Sequence, residues 1–212
     1  MRKITGLLLL LLPLLFTACM TPPPPQEDKP VEYPMLGKQF TVALLEFNNK
    51  TKYGARRLSD SAGEILTTEM LRSGNFIMVE RQKIEDIMAE LELQLSGVTE
   101  ADNAAQLGEM LNCQYMLVGS VSNFGVKVTG KDMIIAQQKI QTAECEVDIR
   151  VIDVETGGII FSAYGKGKSE TKSGSTFGLG ATAGYDETMA GKVLRQAVSE
   201  AVLKLVNFFA TK

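Results

Sequence analysis

The apolar run at residues 40–47 constrains the fold more than any other feature of the chain. Its sequence, Phe-Thr-Val-Ala-Leu-Leu-Glu-Phe, is almost continuously apolar, and this pattern is typical of a strand that is buried on both faces of a sheet. Such a strand needs helices packed on the sheet to bury its apolar side chains. The run therefore predicts a domain of the α/β class.

Apolar spacing in the later residues predicts the remaining elements. Spacings of three and four residues indicate helices, one of which Thr99 can cap, and alternation indicates strands. The predicted segments are strand 40–47, helix 58–70, strand 76–79, helix 84–95, helix 99–111, strand 115–124, strand 144–151, strand 159–164 and helix 189–209, with turns at 129–132 and 155–158. This β-α-β-α-α-β-β-β-α order predicts a mixed β-sheet with helices packed on it.

The first 19 residues have the layout of an exported lipoprotein. Arg2 and Lys3 precede an apolar stretch with leucine at every position from 7 to 12, and Phe16-Thr17-Ala18-Cys19 resembles a lipobox. Residues 1–18 are therefore predicted to be a lipoprotein signal peptide, and Cys19 is the predicted site of lipid attachment. Ordinary cleavage after Ala18 is the alternative, but it prefers a small residue where Phe16 stands.

Proline separates a tether from the domain. Six of the seven prolines lie in residues 20–37, and none follows Pro34. Proline-rich segments act as semi-rigid spacers. Residues 19–37 are therefore predicted to be the acylated cysteine and a tether, and residues 38–212 a single periplasmic domain, which is long enough for a full core.

The composition argues against several classes of function. The chain has no histidine and no tryptophan, and its formal net charge is −3. Histidine is the usual general base and the commonest metal ligand, and nucleic-acid binding needs a basic surface. We therefore expect no enzymatic activity, no cofactor, no metal site and no nucleic-acid partner. Cys113 and Cys145 are either buried hydrophobes, the favoured interpretation, or a pair in an oxidising compartment.

A loop rich in basic residues follows the first strand, at residues 48–57. Loops on a rigid scaffold often carry function, so this loop is a candidate pore-lining or binding loop. An ordinary solvated loop is the alternative. The candidate residues are Asn49, Lys50, Lys52, Tyr53 and Arg56.

Two later regions are candidate membrane-facing hairpins. Strands that span a membrane need about 9–11 residues whose apolar side chains alternate outward. The second region is the weaker one, because its alternate residues from Ala163 to Ser173 are small and a glycine-rich stretch follows. The candidate membrane-facing residues are Phe124, Val126, Val128, Met133, Ile135, Phe177 and Leu179.

Four blocks of sequence carry a resemblance to a known family. They are V-A-L-L-E-F-N-N at residues 42–49, V-E-R-Q-K-I-E-D-I-M-A-E at 79–90, D-N-A-A-Q-L-G-E-M-L-N-C-Q-Y-M-L-V-G-S-V at 102–121, and V-D-I-R-V-I-D-V-E-T-G-G-I-I at 147–160. In this order, behind a lipobox, they resemble the CsgG family, the curli-assembly lipoproteins and their relatives. More distantly, the domain looks like the periplasmic activator LpoB and the N-terminal domain of TolB.

The resemblance implies a lipid-anchored domain that faces the periplasm from the outer membrane. In the curli protein, subunits form a ring, each gives two hairpins to a membrane pore, and the loop after the first strand narrows that pore. We therefore expect a homo-oligomer, a ring-forming export component that assembles or secretes surface material and binds exported protein subunits. A periplasmic binding or activator lipoprotein similar to LpoB, without a pore and with a periplasmic partner, is the alternative.

Overall fold

The apolar run that begins at Phe40 forms the first strand along the chain, and this strand lies in the second position across a mixed sheet. The computed structural model describes residues 30–91, 101–132, 136–176 and 187–212. Within these residues the strands are β1 (Phe40–Asn49), β2 (Phe76–Met78), β3 (Tyr115–Asp132), β4 (Ala136–Asp153) and β5 (Ile159–Thr176), and the helices are α1 (Ala55–Arg72), α2 (Arg81–Glu90), α3 (Ala101–Leu111) and α4 (Glu187–Phe209). The predicted order of elements is confirmed.

The sheet combines a short parallel half with a long antiparallel half. Its strand order is β2-β1-β3-β4-β5. β1 is parallel to β2 and to β3, whereas β3, β4 and β5 are antiparallel neighbours. β2 is only 3 residues long, while β3, β4 and β5 each have 18 residues. The predicted mixed sheet is therefore confirmed.

Helices cover both faces of β1, which explains its continuous apolar sequence. Val42 and Leu44 face a core that they share with α1 and α4, and Ala43 and Leu45 face a second core that they share with α2 and α3. All four side chains are buried. Because successive side chains of a strand point to opposite faces, a helix layer on each side leaves these positions no place for a polar residue.

The two buried cysteines lie in different cores. Cys113 belongs to the core under α2 and α3, and Cys145 belongs to the core under α1 and α4. The sheet separates the two thiols, and both are free. Burial raises the pKa of the Cys113 thiol to about 11 and that of the Cys145 thiol to about 12. The structure therefore places both residues as small buried hydrophobes.

α4 packs directly on the backbone of β5. Gly165 and Gly167 face this helix, and a Cβ atom on them would lie 1.9 Å from the carbonyl oxygen of Ala197 and 1.8 Å from that of Val193. A residue without Cβ permits such an approach. The small side of β5, which was the weaker of the two candidate membrane-facing regions, is therefore covered by α4 at these positions.

Polar side chains of α4 also bond the outer edge of β5. The pairs are Gln196 Oε1 with the Lys168 N–H (3.1 Å), Glu200 Oε2 with the Lys166 N–H (2.9 Å), and Lys204 Nζ with the Tyr164 carbonyl oxygen (2.7 Å). Four helical residues rise about 6 Å and two strand residues rise about 6.7 Å, so the helix and strand spacings match over the two intervals between the three pairs. Because an edge strand otherwise presents unpaired backbone groups, α4 takes the place of a neighbouring strand here.

β3 continues through residues 129–132, so the turn predicted there is wrong. Thr129 pairs with Ile140, and Asp132 pairs with Gln137. The composition of this segment resembles a turn, but pairing with β4 keeps Gly130 in the ladder, without the positive φ for which turns use glycine. Residues 133–135, between β3 and β4, lie outside the described residues.

Two further boundaries differ from the sequence-based expectations. β5 runs to Thr176 instead of ending near Tyr164, because pairing with β4 continues along its whole length. The compact unit that contains the domain begins at Val31, so residues 31–37, predicted to be tether, pack with it. The predicted helix cap at Thr99 lies outside the described residues.

Replacing Gly167 by alanine is expected to destabilise the domain. The added methyl group would collide with the backbone of Val193, and that backbone cannot move without displacing α4. Overpacking typically costs 1–3 kcal/mol, so we expect the free energy of unfolding, measured by urea titration, to fall by about 3 kcal/mol. Gly125→Ala is the matched control, because a Cβ atom on Gly125 would meet nothing within 4 Å. Equal losses at the two positions would contradict the close packing of α4.

Both buried thiols are expected to be unreactive in the folded protein. The thiolate is the nucleophile, and at pH 8 a thiol whose pKa is about 11 or 12 is almost entirely protonated. In a Cys19→Ala variant, an alkylating reagent should modify neither Cys113 nor Cys145 until denaturant unfolds the chain, and should then modify both. Rapid modification of either residue in the native protein, measured by mass spectrometry, would argue against this placement.

Candidate functional site

A short loop joins the end of β1 to the start of α1, at the position of the predicted pore-lining or binding loop. β1 ends at Asn49, and α1 begins at Ala55. Gly54 has a φ of +70°, and a Cβ atom on it would lie 2.9 Å from the Cβ atom of Leu58. Glycine therefore fixes the point at which the loop ends and the helix begins.

The side chain of Asn49 holds this loop in place through hydrogen bonds. Its side-chain nitrogen donates to the Tyr53 carbonyl oxygen at 2.6 Å, and its side-chain oxygen accepts from the backbone N–H and the hydroxyl of Thr51 at 2.9 and 2.8 Å. The Tyr53 N–H donates in turn to Thr51 Oγ1 at 3.2 Å. The Lys50 N–H donates to the Val121 carbonyl oxygen of β3 at 3.0 Å. The loop is therefore tied both to itself and to the neighbouring strand.

Tyr53 brings the loop into contact with the first candidate hairpin. Its ring lies edge-on to the ring of Phe124 in β3, and the ring centroids are 6.0 Å apart. Phe124 is buried, whereas Tyr53 is 50% exposed. Edge-to-face aromatic pairs of this kind are stabilising. Two residues that were assigned from the sequence to separate candidate sites thus belong to one site.

The loop and the first turn of α1 are positively charged. Lys50, Lys52, Arg56 and Arg57 are exposed, and within the described parts of the chain none of them forms an ion pair. α1 has no acidic residue in its first turn, although the positive end of a helix dipole favours one there. Positive charge that the protein does not neutralise attracts an anionic partner.

Two grooves lie along α1, a smaller one at its N-terminal end and a larger one along most of its length. One has a volume of about 540 Å³, and its lining includes Tyr53, Arg57 and Leu194. The other has a volume of about 940 Å³, lies towards α2, and its lining includes Arg56 and Leu71. Successive arginines of α1 therefore contribute to different grooves, and positive charge is available on both sides of the helix.

The last residues of β3, β4 and β5 continue past this site as a three-stranded arm (residues 126–132, 136–143 and 169–176). On the α4 side its cross-strand rows are Val126–Ala143–Ser169 and Val128–Gln141–Thr171, and on the opposite side one row is Lys127–Thr142–Glu170. Val126 is half-buried, and Val128 is 53% exposed. At its base the arm therefore has one mildly apolar face and one charged face. The mildly apolar face is limited to these first two rows, because the next row on the α4 side is Gly130–Lys139–Ser173.

Other predicted site residues lie outside the described part of the chain. They are Cys19, Met133, Ile135, Phe177 and Leu179. In the parts that are described, no group of three or more cysteine, aspartate and glutamate side chains could hold a metal ion. The helices of those parts are too short or too polar to cross a membrane.

The roles of Asn49 and Thr51 were only partly visible in the sequence. An asparagine followed two residues later by threonine can form a local side-chain turn, and this signal could have identified the fastening of the loop. The Tyr53–Phe124 contact had no such signal, because the two residues are 71 positions apart and meet only through the parallel pairing of β1 with β3.

The sequence profile of the family described as curli production assembly/transport component CsgG matches residues 30–212. The chain therefore belongs to the CsgG family, as predicted.

Individual relatives are distant from this chain. A candidate lipoprotein of Neisseria meningitidis serogroup B, NMB1126/NMB1164, is 28% identical over 181 residues, which are 81% of this chain and 77% of that protein. The crystal structure of the hypothetical protein CT253 from Chlamydia trachomatis has a TM-score of 0.50 and 13% identity, and the match covers 82% of this chain and 99% of that one. The LpoB C-terminal domain from Salmonella enterica has a TM-score of 0.41 and 20% identity, over 63% of this chain and 83% of that one. CT253 shares the fold.

Asn49→Ala is expected to loosen the loop without unfolding the domain. The substitution removes three hydrogen bonds, each of which contributes about 1 kcal/mol. We therefore expect the amide of Thr51 to exchange its hydrogen at least about tenfold faster, because 1.4 kcal/mol corresponds to a factor of ten. Asn48→Ala is the matched control, since Asn48 bonds Glu46 within β1 and not the loop. Unchanged exchange at Thr51 would show that Asn49 does not fasten the loop.

Proposed function

We propose that this protein is a non-enzymatic lipoprotein that acts in the assembly or secretion of surface material at the outer membrane. Cys19 carries the lipid, the domain faces the periplasm, and several copies join into a ring-forming export component. Membership of a family described as a curli assembly and transport component supports this function. A relative that is a candidate lipoprotein supports the anchor.

The contact between Tyr53 and Phe124 carries this proposal. It joins the basic loop to the base of the arm, with ring centroids 6.0 Å apart. The loop supplies the surface for a partner, and the arm supplies the surface through which copies of the chain join. Because the two surfaces share a packed aromatic pair, assembly of the copies and binding of a partner are coupled.

The mildly apolar face of the arm is the surface that joins the copies. Val128 is 53% exposed on this face, and Ser169 and Thr171 of β5 lie in the same two rows. An arm of one copy that packs against a different surface of the next copy makes a head-to-tail contact, and such contacts close into a ring when the rotation allows it. The proposed oligomer is a closed ring of this kind.

The basic loop determines the charge of the partner. Four cationic side chains at the end of β1 and the start of α1 favour acidic segments of exported protein subunits, or of a periplasmic partner. The attraction between exposed charges is screened over about 8 Å at physiological ionic strength. Partner binding should therefore weaken as salt concentration increases.

A periplasmic activator that binds one partner without a pore is the second candidate function. The charged side of β4 and β5, which continues from the sheet into the base of the arm, favours it. Lys168 pairs with Glu144 at 3.2 Å and Lys166 with Glu146 at 2.8 Å, next to the row that contains Lys127. A basic residue on a lipid-exposed face costs roughly 2–4 kcal/mol near the midplane of a membrane, so this face suits water or a protein partner.

Val128→Lys is expected to dissociate the oligomer while leaving the domain folded. The change places a charge on the mildly apolar face of the arm, where desolvation in an interface is costly. The full-length lipidated protein, extracted in mild detergent, should give a ring mass by native mass spectrometry, and the variant a monomer mass. Thr129→Lys, which adds the same charge on the opposite face, is the control.

Two outcomes separate the candidate functions. A monomer mass for the wild-type protein in several detergents would remove the export component and leave the activator. A Cys19→Ala variant that still sediments with membranes would contradict the proposed anchor. Dissociation by Thr129→Lys as strongly as by Val128→Lys would exclude the α4 side of the arm as the joining surface.

A further inference from the structure

A buried carboxylate outside the loop holds the segment that leads into the domain. Glu69, in the last turn of α1, is 2% exposed. The Tyr33 hydroxyl donates to its Oε2 atom at 2.8 Å, and Arg72 Nε donates to the same atom at 3.0 Å. Arg195 of α4 lies 3.3 Å from Oε1. One carboxylate thus connects the incoming segment, α1 and α4.

The protonation states of Tyr33 and Glu69 agree with the hydrogen bond between them, in which the hydroxyl donates and the carboxylate accepts. Burial, together with the adjacent Glu69 carboxylate, raises the pKa of the Tyr33 hydroxyl to about 12, so Tyr33 remains a donor at neutral pH. Burial alone would raise the pKa of Glu69, but the hydrogen bonds from Arg72 and Tyr33 and the charge of Arg72 outweigh burial and lower it. The carboxylate is therefore ionised and paired under physiological conditions.

A second buried side chain forms hydrogen bonds with the backbone of the same segment. Asn75, which follows the end of α1, is 1% exposed. Its side-chain nitrogen donates to the Pro34 carbonyl oxygen at 2.8 Å, and its side-chain oxygen accepts from the Leu36 N–H at 2.9 Å. The side chains of Tyr33 and Leu36 also pack against the α1–α4 core, while Met35 between them is 74% exposed. We call residues 33–36 the strap.

We propose that the strap is a docked, releasable segment that sets how far the domain can reach from the membrane. The idea rests on the lipid anchor at Cys19 that forms part of the proposed function. With the strap docked, the length of chain between Cys19 and Tyr33, the first residue of the strap, sets the reach. With the strap released, this length extends to the start of β1 at Phe40. Seven extended residues add up to roughly 25 Å of reach.

The contacts that hold the strap differ from those of an ordinary segment leading into a domain. Its contacts use two polar side chains that are almost fully buried, and each of them would lose bonds on release, so docking and release are discrete states rather than gradual fraying. The same contacts join the strap to both helices of one core. A pull on the lipid anchor is therefore resisted at Glu69 and Asn75 before it reaches β1.

The test compares Tyr33→Ala with Met35→Ala in the full-length lipidated protein. The protein is reconstituted in phosphatidylethanolamine–phosphatidylglycerol vesicles that contain a headgroup-labelled acceptor lipid. A donor dye is attached to a Ser162→Cys variant, in which Ser162 is exposed and Cys113 and Cys145 are buried. A chain in which residues 24–30 are duplicated serves as the reference for a tether that is seven residues longer.

We expect Tyr33→Ala to lower energy transfer to the level of the reference and to increase hydrogen exchange at the Leu36 amide at least tenfold. Met35→Ala should change neither quantity, and Tyr33→Phe, which keeps the ring, should give an intermediate exchange rate. The melting temperature of each variant shows whether the domain remains folded, and Tyr33→Phe serves as the test if Tyr33→Ala unfolds.

Three results would overturn the proposal that the strap sets the reach of the domain. They are unchanged exchange at Leu36 in Tyr33→Ala, equal effects of Met35→Ala, and faster exchange at Leu36 without a change in energy transfer on the vesicles. Failure of the anchor itself has a different signature, because energy transfer would then be absent for every variant, including the wild type, while the exchange difference between Tyr33→Ala and Met35→Ala persisted.

Discussion

The approach of α4 to the backbone of β5 is the constraint on which most of this structure depends. Gly165 and Gly167 remove the side chains that would separate helix and strand, and polar residues four apart on the helix bond backbone groups two apart on the strand. This match between helix rise and strand rise closes one edge of the sheet. It also brings the apolar face of α4 over β4 and β5, where it completes the larger core.

That core organises the functional features around it. Helix α1 packs in the same layer as α4, so the loop that precedes α1 and the strap contacts at its other end lie at opposite ends of one helix. The loop is tied to β3 by Lys50 and Tyr53, and the strap is tied to α4 through Glu69 and Arg195. The proposed partner surface and the proposed control of reach therefore depend on the same helix pair.

Helix α4 leaves the three-stranded arm partly uncovered. The rows at its base alternate between a mildly apolar face and a charged face, which is the arrangement expected for a surface that contacts protein on one side and water on the other. The proposed assembly role, in which geometry and surface charge matter, fits both faces at the base of the arm and membership of the CsgG family.

The sequence by itself determined the class of fold and the order of its elements, because burial imposes a period on each segment. Val42 to Leu45 had to be apolar on both faces, and Cys145 to Val151 on one. It did not determine how far strands continue. Residues 129–132 have turn composition, yet pairing with β4 keeps them in a strand, since that pairing depends on residues distant in sequence. The tertiary structure alone decided three matters: that Gly165 and Gly167 contact a helix, that Tyr53 meets Phe124, and that Tyr33 reaches a buried carboxylate. Each depends on which residues the sheet and helices bring together in space, and local periodicity contains no information on that.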